Sequence, residues 1–417
     1  MLRLPLRARK SGLVSGIAMA MALAGGAVVA TAVTPTEAHA QEMSKKFKKP
    51  YGEAVELVQG ENPDINAAKA MLPAVAAAVE NDDDRYAAGQ LHLKIGGDLS
   101  DMALQRKGLE MSLESGKTPP ENLGKYNFYV GTFAYEDGDY ATARTYLERA
   151  VAAGYTDNNP TVLIADTYMR DGDFEGGLNY LKGAVTSQME AGGPVNEELL
   201  LLGLKTAYEN EMPDQALDFS TMLVANNPSQ QNWLYATQTV NATYTFEPQA
   251  QLDLLRLQRE TGSLKERYEY YEYAETAGIQ KMGSEVAGLI DEGIAAGVLD
   301  TGDSLYADGY AEAKRRGAMD REETPGLVSE ARAESDGTLA MGVGDAFFSY
   351  GAYAEAEDMY STALEKGVQN PMMVTTRIGI AQSRQGKLAE ARETFASITG
   401  PREPIARLWI AWIDSKM

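Results

Sequence analysis

Cysteine is absent from the 417-residue chain, and histidine occurs only at His39 and His92. The lack of cysteine excludes disulfide bonds, thiolate metal sites and a cysteine nucleophile. A zinc site takes three or four ligands, mostly His and Cys, and no such set can be assembled here. A histidine-based triad would depend on His92, which we interpret as a packed or surface residue because leucines flank it at helical spacing. The sequence therefore predicts no catalytic residue, no metal and no cofactor.

Basic residues are scarce relative to acidic ones. Lys and Arg number 38 against 60 Asp and Glu, which gives a formal net charge of −22. Proteins that bind nucleic acids neutralise phosphates with clustered Lys and Arg, so we expect no nucleic-acid partner. Cationic partners are one interpretation of the acidity. The other, which we favour, is a well-solvated surface kept soluble by like charge.

The longest uncharged run lies near the N-terminus. It includes residues 11–33 and follows a basic start, and Ala38 and Ala40 place small residues where a signal peptidase reads before Gln41. This pattern predicts a signal peptide over residues 1–40, cleaved after Ala40, and a periplasmic or secreted protein. An uncleaved anchor is the alternative, because the run is long enough to span a bilayer. After cleavage we expect no stable membrane insertion.

Internal repeats organise the rest of the chain. The sequence YEDGDYATA at residues 135–143 returns as MRDGDFEGG at residues 169–177, and the same phrase recurs near residues 350–356 and 385–391. The small residues that open the predicted second helices recur along the chain. Successive ones are about 34–40 residues apart, or twice that distance. These landmarks are Ala68, Ala103, Ala143, Gly177, Ala216, Ala250, Ala287, Ala356 and Ala391. Such a period predicts about ten helical hairpins.

The spacing of small and large apolar residues resembles the tetratricopeptide repeat. Second helices carry it as Ala143/Leu147/Ala150, Gly177/Leu181/Ala184, Ala356/Tyr360/Ala363 and Ala391/Phe395/Ile398. First helices carry it as Val130-Gly131, Ile164-Ala165, Val343-Gly344 and Ile378-Gly379. The layout is also similar to that of exported alphaproteobacterial repeat proteins. The resemblance implies an all-α, right-handed superhelical solenoid over residues 51–400, degenerate near residues 264–336.

Simple physics accounts for these residue types. Each hairpin must bury a face against its neighbours, and Gly or Ala at a helix crossing lets the backbones approach. Gly138, Gly172, Gly351 and Gly386 stand where a first helix must end, a position that favours a left-handed backbone. Asp139 and its counterpart Asp173 suit the positive end of the second helix.

Two segments flank the predicted repeats. Residues 41–50 include the basic sequence KKFKK and are predicted to form a flexible leader, with contact to anionic lipid as the alternative. Residues 401–417 place apolar residues at 405, 408, 409, 412 and 413, which lie on one helical stripe. We expect this segment to be a helix that caps the last repeat.

The resemblance implies that the first helices line a concave groove. Residues seven apart share a helix face, and three such pairs flank a polar residue in equivalent places. We therefore predict a non-catalytic scaffold that binds a partner polypeptide through Phe128, Tyr135, Val162, Met169, Met341 and Phe348. The alternative is that these residues pack between repeats.

Other functions have weaker signals. Tyrosines at 268, 270, 271 and 273 cover two sides of a helix and favour, as an alternative function, binding of an envelope or cell-wall polysaccharide. The Asp-Gly-Asp phrases at 137–139 and 171–173 lack the spaced ligands of a calcium loop, so we interpret them as turns. A carboxylate pair able to hydrolyse glycosides is a further hypothesis, although no pair stands out.

Overall fold

A computed structural model describes residues 43–59, 61–192 and 195–417. Within these ranges the protein is all-helical, with 20 α-helices, 78% helix and no strand, which confirms the predicted all-α class. None of the described helices combines the length and apolar character needed to cross a membrane. The predicted signal peptide over residues 1–40 lies outside the described residues.

The chain divides into two compact units at about residue 187. The N-terminal unit contains four helical hairpins, as far as its described residues extend. Their helices are α1 (Lys45–Gln59), α2 (Ile65–Ala77), α3 (Asp82–Asp98), α4 (Met102–Glu114), α5 (Pro120–Glu136), α6 (Tyr140–Ala152), α7 (Pro160–Arg170) and α8 (Phe174–Glu190).

The C-terminal unit contains five hairpins, one long unpaired helix and a terminal helix in its described part. Its first six helices are α9 (Glu197–Glu209), α10 (Pro213–Asn226), α11 (Gln230–Thr243), α12 (Pro248–Thr261), α13 (Arg267–Ala277) and α14 (Gly283–Ala295). A π-helical turn (Leu305–Tyr310) then leads into α15 (Ala311–Ala333). The last helices are α16 (Thr338–Ser349), α17 (Tyr353–Lys366), α18 (Pro371–Arg384), α19 (Leu388–Ala396) and α20 (Glu403–Asp414).

Several hairpins cross at a glycine on the first helix and a large apolar residue on the second. A Cβ atom at Gly131 would lie 2.7 Å from Leu147 Cγ, and one at Gly344 would lie 2.7 Å from Tyr360 Cδ1. The large residue follows its glycine by 16 positions in these pairs and also in Gly203–Phe219 and Gly379–Phe395. Close packing of this kind leaves no room for a side chain at the glycine.

The turns inside the hairpins follow the prediction. Gly138 and Gly172 have φ of 79° and 82°, and Gly351 and Gly386 have φ of 85° and 77°. The carboxylate of Asp139 accepts a hydrogen bond from the backbone N–H of Thr142 at 3.1 Å and so caps α6. These residues end one helix and begin the next, as predicted.

Helix packing differs from the expectation at the start of the chain. The segment predicted as a flexible leader over residues 41–50 is helical from Lys45, because Phe47, Tyr51, Ala54 and Val58 form one buried stripe on α1. The landmark Ala103 is exposed. Its hairpin instead crosses at Gly89 and Gly108, where a Cβ on Gly108 would lie 2.6 Å from the Gly89 carbonyl oxygen.

The region predicted to hold a degenerate repeat contains no second hairpin. Residues 264–295 do form a hairpin of α13 and α14, but residues 305–333 form one continuous helical segment. Gly317 lies inside α15 and packs against Ser284, and Gly326 also stays helical, so neither glycine provides a turn. About ten hairpins were expected, and the described residues form nine plus this helix.

The C-terminal unit closes on itself. Helix α20 packs on α19, as a capping helix should, but it also packs on α10 and α12 near the start of the unit. Helix α12 contacts α18, and α14 contacts α16. One buried cluster consequently runs from Leu217 to Ile413 and includes Trp233, Phe395 and Trp409.

Candidate functional site

The six predicted partner-binding residues fall into two groups. Phe128 is 1% exposed and Phe348 is 2% exposed, so both belong to the protein interior, and the prediction that they face a groove is wrong. Tyr135, Val162, Met169 and Met341 are partly exposed. The ring of Phe128 packs 4.9 Å from that of Tyr155, at the end of the same hairpin. A seven-residue spacing places two residues on one face but does not decide what covers each of them.

In the N-terminal unit, partly exposed residues of α5 and α7 lie side by side. The Tyr135 hydroxyl donates a hydrogen bond to Asp166, and the Arg170 guanidinium donates a second one to the same carboxylate at 3.2 Å. Burial and the neighbouring Asp166 carboxylate raise the pKa of Tyr135, so its hydroxyl keeps its proton. We call Tyr135, Val162, Asp166, Met169 and Arg170 the α5–α7 row.

The corresponding residues of the C-terminal unit are covered by helix α12. The Arg256 guanidinium of α12 lies 4.7 Å from the centre of the Phe348 ring. Glu260, one turn further along α12, forms an ion pair with Arg384 of α18 at 2.5 Å. Asp345, the polar residue between Met341 and Phe348, forms an ion pair with Arg377. The chain's own helix therefore occupies the part of the predicted face that carries Phe348, whereas Met341 is partly exposed.

A network of buried charges holds α12 in place. Arg256 donates hydrogen bonds to Asp253 at 2.7 Å and to both oxygens of Glu285, at 2.9 and 2.8 Å. The Tyr273 hydroxyl donates to the same Glu285 carboxylate at 2.7 Å. Arg402 completes the network by donating to the second oxygen of Asp253 at 2.6 Å.

The electrostatics of this network favour charged side chains. Burial alone would raise the pKa of Glu285, but the charge and hydrogen bonds of Arg256, with the Tyr273 hydroxyl, lower it to about 2. Arg256 and Asp253 are both fully buried. Buried ions of this kind are tolerated only when each is paired and hydrogen-bonded. The network joins α12 to α14 and to the segment that precedes α20.

Sequence reasoning missed these buried charges. Asp253 and Arg256 interrupt a leucine-rich run at residues 252–257, and Arg377 lies between buried residues of α18. A charge within an apolar helical run was the available signal. It was weak because an isolated sequence does not show which distant residue would neutralise the charge.

The residues considered for catalysis or metal binding have structural roles. His92 is 5% exposed, its Nδ1 lies 2.8 Å from the Ala88 carbonyl oxygen, and burial lowers its pKa. No group of three or more potential metal ligands occurs among the residues that the structure describes. The carboxylate of Asp173 accepts a hydrogen bond from Gly176, in agreement with its interpretation as a turn residue.

The four tyrosines at residues 268, 270, 271 and 273 lie on different sides of α13 and differ in their exposure. Tyr270 and Tyr273 are buried, and Tyr271 hydrogen-bonds Ser304 at 3.1 Å. Only Tyr268, at 59% exposure, is open to solvent among these four tyrosines. One ring of the four is therefore available to stack on a sugar.

No protein-family model matches the chain, and no curated protein is similar to it. The described residues thus define an all-helical protein whose hairpins form a repeat-like packed array.

Proposed function

We propose that this protein is a non-catalytic scaffold of the tetratricopeptide type, exported to the cell envelope, that binds a partner polypeptide on the α5–α7 row. The four hairpins of the N-terminal unit would stack as a right-handed superhelix, with first helices lining its groove. The repeated glycine–large apolar crossings support this proposal, because tetratricopeptide hairpins also need a small residue at that place.

The observation that carries the proposal is the position of α12. In the C-terminal unit, the face built from Asp345, Phe348 and Arg384 receives an amphipathic helix of the same chain. In the equivalent face of the N-terminal unit, α5 takes the place of α16 and α7 that of α18, and this face offers Tyr135 and Arg170, which are not buried. Arg170 follows Ala165 by the same five positions as Arg384 follows Gly379. Helix-in-groove binding is a common use of such a face.

The side chains of the α5–α7 row indicate which side chains the partner should carry. Arg384 pairs with a carboxylate of α12, and Arg170 would bind a carboxylate of the partner in the same manner. Tyr135 and Met169 supply apolar surface beside it. We therefore expect an amphipathic helix with an acidic residue one turn from its apolar anchor.

The first experiment places a photoreactive amino acid at Val162 and irradiates cells that export the protein. A discrete crosslinked partner is expected, and the crosslink should vanish in the Tyr135→Ala/Met169→Ala double variant while the melting temperature stays nearly unchanged. A photoreactive residue at Tyr268 serves as the matched control and also tests the polysaccharide alternative. If the double variant melts far lower, these residues are structural and the proposed site is wrong.

The second experiment tests whether the α5–α7 row binds an amphipathic helix. A fluorescent peptide with the sequence of residues 248–261 is titrated with the full-length protein, and anisotropy measures binding. We expect Arg170→Glu to weaken binding at least tenfold, because it replaces attraction for the peptide's Glu260 by repulsion. Lys182→Glu, on α8, is the charge-matched control. Equal binding to both variants would contradict the role of Arg170.

A further inference from the structure

A pocket of about 390 Å³ lies in the C-terminal unit between α15, α16 and the turn before α14. Its volume is within the range of small-molecule sites. Two helices form its long walls, with side chains one turn apart on each. Leu327, Leu339 and Met341 contribute apolar surface, and Leu327 is 39% exposed despite its size.

The floor of the pocket contains an incompletely bonded ion pair. Arg316 and Asp320 are 2.6 Å apart, and the Asp320 side chain is only 3% exposed. Asp320 Oδ2 and Arg316 Nε are both buried and lack a hydrogen-bond partner among the described residues. Burial raises the pKa of Asp320 in spite of Arg316. Buried polar atoms usually have partners, so this ion pair has one acceptor and one donor that are not satisfied.

The mouth of the pocket repeats this pairing of opposite charges. Lys281 and Glu323 are exposed lining residues, and neither forms an ion pair with any residue in the described ranges. The lining thus offers one cation and one anion at the mouth, next to the incompletely bonded ion pair at the floor. The other lining carboxylate, Asp345, is already paired with Arg377.

We propose that this pocket binds a small zwitterion with apolar substituents, of the apolar dipeptide kind. Its ammonium group would interact with the carboxylates of Asp320 and Glu323. Its carboxylate would interact with Arg316 and Lys281, and its side chains would pack on Leu327, Leu339 and Met341. A ligand with a single charge would leave one of the two charged sets without a partner. This site is separate from the α5–α7 row and does not depend on the proposed function.

Calorimetry on the full-length exported protein tests the proposal with leucyl-leucine as the probe. N-acetyl-leucyl-leucine removes the ammonium charge, and leucyl-leucine amide removes the carboxylate. We expect each change to weaken binding at least tenfold. If the acetylated probe binds as tightly as the parent, the carboxylates do not hold an ammonium. If the amide binds as tightly, Arg316 and Lys281 do not hold a carboxylate.

Substitutions then locate the binding. Gly342 lines the pocket on α16, and a Cβ there would meet nothing within 4 Å. Gly342→Trp should therefore fill the pocket and abolish binding, whereas Gly342→Ala should retain it. Glu323→Gln should weaken binding several-fold, and Glu322→Gln, at an exposed neighbour outside the pocket, should not. Failure of leucyl-leucine to bind, or its binding to Gly342→Trp, would overturn the proposal.

Discussion

Arg402 and Asp253 are 149 residues apart in the chain, yet Arg402 Nη1 lies 2.6 Å from Asp253 Oδ2 in the interior of the C-terminal unit. Arg402 belongs to the short 3-10 turn that precedes α20. The Trp409 indole N–H donates to the backbone oxygen of the same Asp253 at 3.3 Å. The final segment of the chain is thus joined to α12 by a buried charge pair and by a ring that packs beside it.

Arg402→Leu should destabilise the C-terminal unit. The change leaves one oxygen of a buried carboxylate without its cation, and breaking a buried pair costs about 3–5 kcal/mol. Arg407→Leu is the matched control. Arg407 pairs with Asp218 of α10 in a more exposed place, and such a pair contributes about 1 kcal/mol or less. Urea unfolding measures both, and equal losses would show that Arg402 does not secure the closure.

Alanine substitutions at two glycines on α16 should change the stability of the protein in opposite directions. Gly344→Ala forces a Cβ to 2.7 Å from the Tyr360 ring, and overpacking of this kind costs about 1–3 kcal/mol. Gly342→Ala enters open space in the same helix and should stabilise the protein by about 0.5–1 kcal/mol. Thermal melting distinguishes the two. A stabilising Gly344→Ala would place the hairpin crossing elsewhere.

Acid should destabilise the C-terminal unit through Glu285. Arg256 and Tyr273 lower its pKa to about 2, against an ordinary value of 4.5. Because the folded-state pKa is the lower one, the contribution to stability is complete above about pH 5 and is lost as the pH falls toward 2. Unfolding free energies measured across this window should fall less steeply in Glu285→Gln. That variant will be less stable at neutral pH, so the slope is the quantity to compare.

The predicted processing is checked by intact mass. If residues 1–40 are a cleaved signal peptide, the exported protein begins at Gln41. Ala40→Lys should block cleavage, because signal peptidase requires a small residue there, and should leave the precursor in the membrane fraction. A wild-type protein that retains Met1 in that fraction would support the anchor alternative.

The local features of the chain could be predicted from the sequence. The turn glycines such as Gly138 and the caps such as Asp139 depend on residues within a few positions, and the crossing of Gly344 with Tyr360 depends on one hairpin. The helical class and most hairpins follow from these features. Where the local signal was misleading, the prediction was wrong: the basic sequence before Pro50 concealed the buried stripe of α1.

The amino-acid sequence by itself determined the helices, their ends and the small–large pairing inside hairpins, because each needs only interactions between residues near one another in the chain. Tertiary structure alone decided that Phe128 and Phe348 are interior residues, that α12 covers the face of α16 and α18, and that Arg402 reaches Asp253. The reason is physical. Small rotations between successive hairpins accumulate along an array, so contacts across 149 residues depend on their sum rather than on any local pattern.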